Sequence, residues 1–420
     1  MHKIKGFLIK TYEFLVGSIA FYPSAITVFI SCLGILTLQI EDNQITSYLK
    51  EYAPFLVINN ADTARSILTT LIGGVISLTV FSFSMVMITL SQTSSNYSPR
   101  LLPNLIAEKK NQTVLGFYLG TIVFNILVLI SILPSGDTYT LNILSILIGI
   151  GMGISCLGFF IYFIHNISTN IQIDVILKKA YLSTKAQLDQ LIEKGNQEPI
   201  LADKEFENWN SIPMEEAGYL QEINIKFLKE IVLENQTSIY IDAFEGQYVP
   251  SNKTLVRYDG VKKEALENQL TNTVLLNLQD NSVDNYIYGI KKITEVGIKA
   301  MSPGINDPAT ALTTLDYLSS LFQLRMQIKD QNTYSVDNRF TIKIRTFSFE
   351  QLLGNCYTLY RQYCKHDALM MKKLLMILNH LSEQETAEEH YHAVIKIQIN
   401  ALKEDVELNI KNKMDLDNIL

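Results

Sequence analysis

The sequence predicts an α-helical polytopic membrane protein: four transmembrane helices, then a C-terminal α+β cytoplasmic domain containing a small β module. Three observations carry that expectation. Four long apolar stretches crowd into the first 165 of 420 residues, each reaching the ~20 residues that span a hydrocarbon core of ~30 Å. That segment holds 8 Lys+Arg and 7 Asp+Glu, against 27 and 35 in the remainder, so one part suits lipid and the other water. Beyond residue 217 the pattern changes from helical spacing to short alternating runs. The organisation expected is a four-helix transmembrane domain over 1–165, a helical connector over 166–217, a β-rich module over 218–260 and a mainly helical cytoplasmic domain over 261–420.

The first span is expected over Phe14 to Leu38, with Pro23 marking a junction between an interfacial segment, Met1 to Phe21, and the crossing helix. The others fall near Ile67–Leu90, Val114–Leu133 and Tyr139–His165, the last two joined by a turn at Pro134-Ser135-Gly136-Asp137. Lys3, Lys5 and Lys10 precede the first span, but no cleavage pattern follows, so that helix is read as retained. Short flanks on one side carry Arg100, Lys109 and Lys110 besides those lysines, while the other side has only Lys50 and Arg65. The positive-inside bias then puts both termini in the cytoplasm. Arg100 also has the reach to meet lipid phosphate or a carboxylate of the soluble domain.

The second span holds Thr70, Gly73, Ser77, Ser84 and Ser91 at spacings that share one helix face. Such a face packs helices closely, or it lines a permeation path with Phe81 and Phe83, beside Ser82, as a constriction. In the fourth span Gly149 and Gly153 form a G-x-x-x-G pair suited to packing, within one subunit or between two. No span carries Asp, Glu, Lys or Arg at its centre, which counts against a proton-coupled pump that runs on an intramembrane carboxylate.

In the soluble half, Ile167 to Lys194 reads as helix. Strands are expected at Gly218–Ile223, Thr237–Phe244 and Thr254–Tyr258, with a turn at Glu245–Pro250 and a short helix over Asn224–Glu234. The pieces Gly218-Tyr219-Leu220 and Gly246-Gln247-Tyr248-Val249 resemble the lipoyl-like barrel-sandwich fold, although no lysine has the flanks of a swinging arm. Lys262 to Met301 reads as mostly helical, with Gly289 and Gly297 compensated by close backbone contact.

Ser302-Pro303-Gly304-Ile305-Asn306-Asp307-Pro308 is the most distinctive segment. Gly304 suits a backbone conformation closed to other residues, and Asp307-Pro308 fits an N-cap followed by proline at N1. Ser302, Asn306 and Asp307 then either cap a helix–helix corner or hold a small ligand or cation. The C-terminal stretch is expected as a short extended piece at Phe340–Thr346 followed by helices over Phe349–Tyr363, Ala368–Leu381 and Glu385–Leu408. His390 and His392 are two apart and do not face each other on a helix. No P-loop, dinucleotide glycine loop, nucleophile turn or H-E-x-x-H is present. The four cysteines lack metal or disulfide spacing. The reading therefore leans away from an enzyme, expects no cofactor and no resident metal, and finds nothing that suits nucleic acid in an acidic chain of pI near 5.5.

Several stretches together resemble the bacterial DUF2254 family of predicted membrane proteins: Phe83 through Leu102, Leu115-Gly116 with Gly120-Thr121, Tyr162-Phe163-Ile164-His165, Gly218-Tyr219-Leu220-Gln221 and Met301 to Ala311. The likeness runs over nearly the whole chain and implies a multi-pass protein of the bacterial inner membrane. From Leu276 to Asn281 the sequence departs from the pattern, being neutral to acidic where relatives carry arginines. The function expected is an oligomeric ion channel or passive transporter regulated by its cytoplasmic domain, whose partners are the lipid bilayer, further copies of itself, and an ion or small ligand. The alternative is a non-transporting membrane scaffold or sensor that binds a protein or small ligand through that domain.

Overall fold

A computed structural model describes residues 20–40, 51–52, 57–58, 60–96, 109–132, 134–135, 138–139, 141–170, 172–195, 206, 208–278 and 285–420. The chain divides into two compact units, Met1–Val175 and Ile176–Leu420.

Four long apolar helices make the first unit: α1 (Phe21–Ile40), α2 (Ala61–Asn96), α3 (Lys109–Ser131) and α4 (Ile143–Asn170), each long and apolar enough to cross a membrane. Their bounds differ from expectation for local reasons. Pro23 stands in the first turn of α1, where a missing N–H breaks no intrahelical bond; most of the expected interfacial segment lies outside the described residues. Helix α2 extends six residues earlier than the apolar run, because the Asn60 side chain accepts hydrogen bonds from Asp62 N and Thr63 N, at 2.7 and 3.1 Å, as an N-cap does. Between α3 and α4 the turn is a small antiparallel pair, β1 (Pro134–Ser135) with β2 (Thr138–Tyr139).

Contacts fix the direction of each helix. Lys109, opening α3, sits over the Tyr22 ring of α1 at 5.6 Å, and Asn166 near the end of α4 donates to Asn111 at 2.8 Å. Arg65 near the start of α2 donates to the Ile132 carbonyl beyond α3 at 2.8 Å. Successive helices therefore alternate in direction, and α3 is the most enclosed of the four. Two glycine pairs let backbones close up. A Cβ at Gly116 or Gly120 would strike Pro23 and Ile26, or Ile30, of α1; one at Gly149 or Gly153 would strike Asn125 of α3, or Leu71 of α2. The Gly149/Gly153 face thus packs inside the unit, and Gly116/Gly120 is a second G-x-x-x-G pair doing the same for α1 against α3.

The second unit takes in most of α5 (Ile173–Gly195) and then combines two sheets with a helical layer. The larger sheet has strand order β3-β7-β5-β10-β9: β3 (Asn210–Pro213), β7 (Thr254–Tyr258), β5 (Ile239–Ile241), β10 (Phe340–Arg345) and β9 (Gln331–Val336). All its pairs are antiparallel except β5 with β10. A three-stranded sheet orders β6 (Tyr248–Val249), β4 (Gly218–Ile223) and β8 (Val274–Asn277). The strands between 218 and 258 are thus completed by partners from beyond residue 260. Helix α6 (Ile225–Asn235), capped by Asn224, and α7 (Glu264–Thr271) cover a shared core of Leu220, Leu228, Ile239, Val256, Leu270 and Ile342. The stretch 262–301 is not one helical run: β8 interrupts it before α8 (Tyr286–Ala300).

Helices α9 (Pro308–Arg325), α10 (Phe349–Cys364), α11 (Ala368–Ser382), α12 (His390–Asn409) and α13 (Lys413–Ile419) complete the unit. Ser348 and Gln351 form a reciprocal capping box on α10. Gly289 and Gly297 do permit close approach, but to side chains and not to backbone. Gly289 lies under Thr184, and Gly297 lies under the hydroxyls of Tyr360 and Thr314, which bond each other at 2.8 Å.

Candidate functional site

The face of α2 singled out by its small and hydroxylated residues is exposed among the described residues, Phe81 alone of those named touching a ring of α4, that of Phe160 at 5.7 Å. Thr70, Gly73, Ser77, Phe81, Ser84 and Ser91 are all exposed, whereas Ala61, Ala64, Leu68, Val75 and Ser82 are buried against the neighbouring helices. The outward hydroxyls are engaged by their own helix: Thr70 Oγ1 donates to the Ser66 carbonyl at 2.8 Å and Ser77 Oγ to the Gly73 carbonyl at 3.0 Å. A Cβ at Gly73 or Gly74 would meet nothing within 4 Å. Phe81 and Phe83 are more than half exposed, so they narrow no path inside this bundle. Ser82 lies opposite them, in the interior.

That interior holds polar groups the sequence reading passed over. Tyr118, Thr121 and Asn125 lie along the inward face of α3, with Ser82 from α2 and Cys156 from α4, all fully buried. Cys156 Sγ is 3.6 Å from Thr121 Oγ1, and Asn125 Nδ2 donates to the Thr121 carbonyl at 2.9 Å. Asn125 Oδ1 has no hydrogen-bond partner; the Ser82 and Tyr118 hydroxyls lie near each other without hydrogen-bond geometry. Large side chains, Leu68, Phe124, Phe163 and Ile146 among them, fill the rest. Lys109 and Lys110 are exposed in the first turn of α3; Arg100 lies outside the described residues.

The Ser302–Pro308 segment is closed by its own backbone. Asp307 N donates to the Ala300 carbonyl at 2.8 Å, and Ile305 N and Asn306 N donate to the Ser302 carbonyl at 3.0 and 2.9 Å. Asp307 caps α9, accepting from Thr310 N at 3.1 Å and from Thr310 Oγ1 at 2.6 Å, with Pro308 at N1. The left-handed residue is Asn306, at φ 48°, and not Gly304. Asparagine tolerates that conformation better than most residues. Pro303, Gly304 and Asn306 are exposed, Ser302 and Asp307 half-buried. The side chains of Ser302, Asn306 and Asp307 do not meet one another in any described contact.

A cleft of about 280 Å³ opens elsewhere in the second unit, among α5, the end of β4, the start of α8 and the end of β10. Gln187 and Leu191 come from α5, Phe244 and Glu245 from the turn after β5, Asn285 and Tyr286 from the start of α8, and Phe347 from beyond β10. The Glu245 carboxyl is raised above the usual carboxylate range, chiefly because burial strips water from it, partly offset by the Ile223 N–H and reinforced by nearby Glu222. Asn285 Nδ2 donates to the Glu245 carbonyl at 3.3 Å, tying the turn to α8. No sequence signal marked this site, since its lining is drawn from separated positions between 187 and 347.

Close by is a fully buried guanidinium. Arg325 donates to Tyr286 Oη at 3.1 Å, Ile328 O at 2.8 Å and Phe347 O at 3.3 Å, and forms an ion pair with Asp330. Asp330, Glu388 and His390 bring three potential metal-ligand atoms within 4.8 Å of one another. Asp330 is already taken by Arg325 and by Phe349 N at 2.9 Å, and a guanidinium there repels a cation, so the cluster is an ion-pair network. Burial pushes the Cys356 and Cys364 thiols up to about 11 and about 12, far from the range of a nucleophilic cysteine.

Comparison with known proteins bears on the whole chain. Residues 17–380 match the model of a family described as predicted membrane protein (DUF2254). Uncharacterised proteins of Mycobacterium bovis and of Mycobacterium tuberculosis (strain H37Rv) are 23% identical to it over 273 residues, 61% of this chain and 51% of theirs. The chain thus spans about half the length of these curated relatives. No solved structure matches it.

Proposed function

The chain belongs to the DUF2254 family of predicted membrane proteins, and from that premise we propose that it assembles as a homo-oligomer in a bacterial inner membrane and passes ions or small solutes passively along a path lined by α2. The observation that carries this reading is the direction of the α2 face. Thr70, Gly73, Ser77, Ser84 and Ser91 turn away from α3 and α4 and lie exposed, where a surface meant only for lipid would present large apolar chains. The bundle interior is filled by Tyr118, Phe124 and Phe163, so a water-filled route needs several copies around a shared axis. No ionisable group stands on the α2 face between Arg65 and Asn96, which suits passive movement and not proton coupling. The positive-inside bias of Lys109 and Lys110 supports a cytoplasmic position for that end of the unit and for both termini, and in this reading the second unit regulates the path. The Ser302–Pro308 segment then serves as a structural corner.

A second reading has its own observation. Thr70 and Ser77 already bond their own helix backbone and need no water, as in a close-packed interface of a scaffold or sensor that transports nothing. Flux into liposomes for wild type and Ser84→Leu, with native mass spectrometry on the same preparations, separates the two. The transport reading expects an oligomer and an ion flux that the leucine blocks. A folded protein without flux to common cations or anions, under voltage or osmotic tension, leaves the scaffold reading; a clean monomer counts against the transport reading.

A further inference from the structure

Among the described residues, the cleft between α5 and the start of α8 holds a carboxylate that lacks a cation. Glu245 has no ion-pair partner there, although cations stand around the cleft. Arg345 is engaged with Asp242 at 3.2 Å. Lys291 lies over the Phe347 ring at 4.9 Å and Lys229 over the Tyr334 ring at 5.2 Å, and neither pairs with Glu245. Gln187 adds a carbonyl oxygen with no hydrogen-bond partner. Glu245 accepts from the Ile223 N–H but has no counter-charge among the described residues, Gln187 Oε1 has no donor, and a donor carrying positive charge answers both in a partly dry site. Around them the wall is apolar and aromatic: Leu191, Ile223, Phe244 and Phe347, with Phe244 and Phe347 edge to face at 5.0 Å.

We propose that this cleft binds a small organic ammonium ion, its charged nitrogen on Glu245 and its apolar body against Phe244, Phe347 and Leu191. A carboxylate beside aromatic faces suits a cation, and about 280 Å³ stands at the small end of the ~300–1,000 Å³ range of ligand pockets. That size suits an amine on the scale of an amino acid. The Gln187 amide gains its partner from a second ammonium N–H after rotating about its terminal bond. The bound cation supplies the counter-charge that Glu245 lacks among the described residues. Asn285, holding the Glu245 backbone and capping α8 through Ile287 N at 2.9 Å, connects occupancy of the cleft to the helix that leads into the Ser302–Pro308 corner.

This deepens the ligand-sensing half of the proposed function but does not need transport to be observed, because binding is read directly. The full chain in detergent micelles is titrated by calorimetry with phenethylammonium, with 2-phenylethanol and phenylacetate as neutral and anionic controls of the same shape. Phenethylammonium binds, and the two controls bind at least about tenfold more weakly, as loss of a charged hydrogen bond implies. Glu245→Gln, which keeps shape and removes charge, weakens phenethylammonium by about tenfold or more on the same grounds. Gln187→Glu, which adds a second carboxylate, tightens it. Absence of binding by folded wild type, equal binding of phenylacetate, or unchanged affinity in Glu245→Gln each overturns the proposal.

Discussion

Both units leave some buried polar atoms without partners, Gln187 Oε1 and Arg257 Nε in the second among them, but they differ at their most deeply buried polar groups. In the second, a full charge is buried and every direction around it is answered: Arg325 meets Tyr286, Ile328, Phe347 and Asp330. The first buries no charge among its described residues, yet the Ser82 and Tyr118 hydroxyls and Asn125 Oδ1 are left without partners. The difference teaches where each unit draws its cohesion. A soluble core tolerates an ion only inside a complete network, because half a network leaves an uncompensated charge. Helices in lipid close up chiefly through shape, as Gly116, Gly120, Gly149 and Gly153 do here, and each polar group adds little.

Removal of the buried cation has the largest expected effect. Arg325→Met strands Asp330 and frees three oxygen acceptors, and destabilisation of about 3–5 kcal/mol is expected, seen as a lowered midpoint in denaturant unfolding followed by the far-UV signal of the second unit. A loss below about 1 kcal/mol, the scale of an exposed pair, would mean that the network is not closed as described.

Next in size is overpacking in the membrane unit. A Cβ at Gly120 already collides with Ile30, so Gly120→Val should force α1 away from α3 at a cost of about 1–3 kcal/mol. Unfolding in mixed micelles measures it, with Gly73→Val, on the open face of α2, as control. If the control suffers equally in a verified monomer, close packing is not what holds these helices. An oligomer in which only Gly73→Val dissociates the copies would instead support the α2 interface.

How much of this was legible in the sequence follows from the range of the forces involved. The four spans were plain because hydropathy is summed over some twenty consecutive residues. The Asp307 cap was plain because it is settled within four residues, by Thr310. The polar face of α2 was visible as a face, but periodicity says nothing of what the face meets; its hydroxyls and Gly73 lie exposed, while Phe81 stands edge to face with Phe160 of α4 at 5.7 Å. Strand β8 was absorbed into an expected helix because Val274–Asn277 is too short for either period to show. Asn306, not Gly304, takes the left-handed position, since the corner needs it one residue before the cap. The Glu245 cleft depends on contacts between residues as far apart as Gln187 and Phe347, and one sequence does not encode those locally.

A smaller effect tests the corner. Asp307→Ala removes the acceptor for Thr310 N and should cost about 1 kcal/mol; Asn306→Gly, which fits φ 48° without a side chain, should be close to neutral. Thermal unfolding of the full chain resolves the two. If Asn306→Gly instead abolishes an ion flux that wild type shows, while the midpoint stays in place, the corner does more than join α8 to α9.

The smallest expected effect carries the opposite sign to the first. Ser82→Ala deletes a buried hydroxyl that has no partner, so nothing is left stranded by its removal. Polar contacts between membrane helices average only about 0.6 kcal/mol even where they are made. The variant should therefore be neutral or slightly stabilising, within about 0.6 kcal/mol of wild type by that measure, and Tyr118→Phe should behave alike. The double variant is the informative measurement, because independent orphans give additive effects. A coupling above about 1 kcal/mol between Ser82 and Tyr118 would mean that the two hydroxyls bond each other, directly or through a water with two to four partners in a polar gap among the packed helices. Ser82 and Tyr118 would then be satisfied as Arg325 is, and the contrast between the units would narrow to Gln112 Oε1 and Asn125 Oδ1.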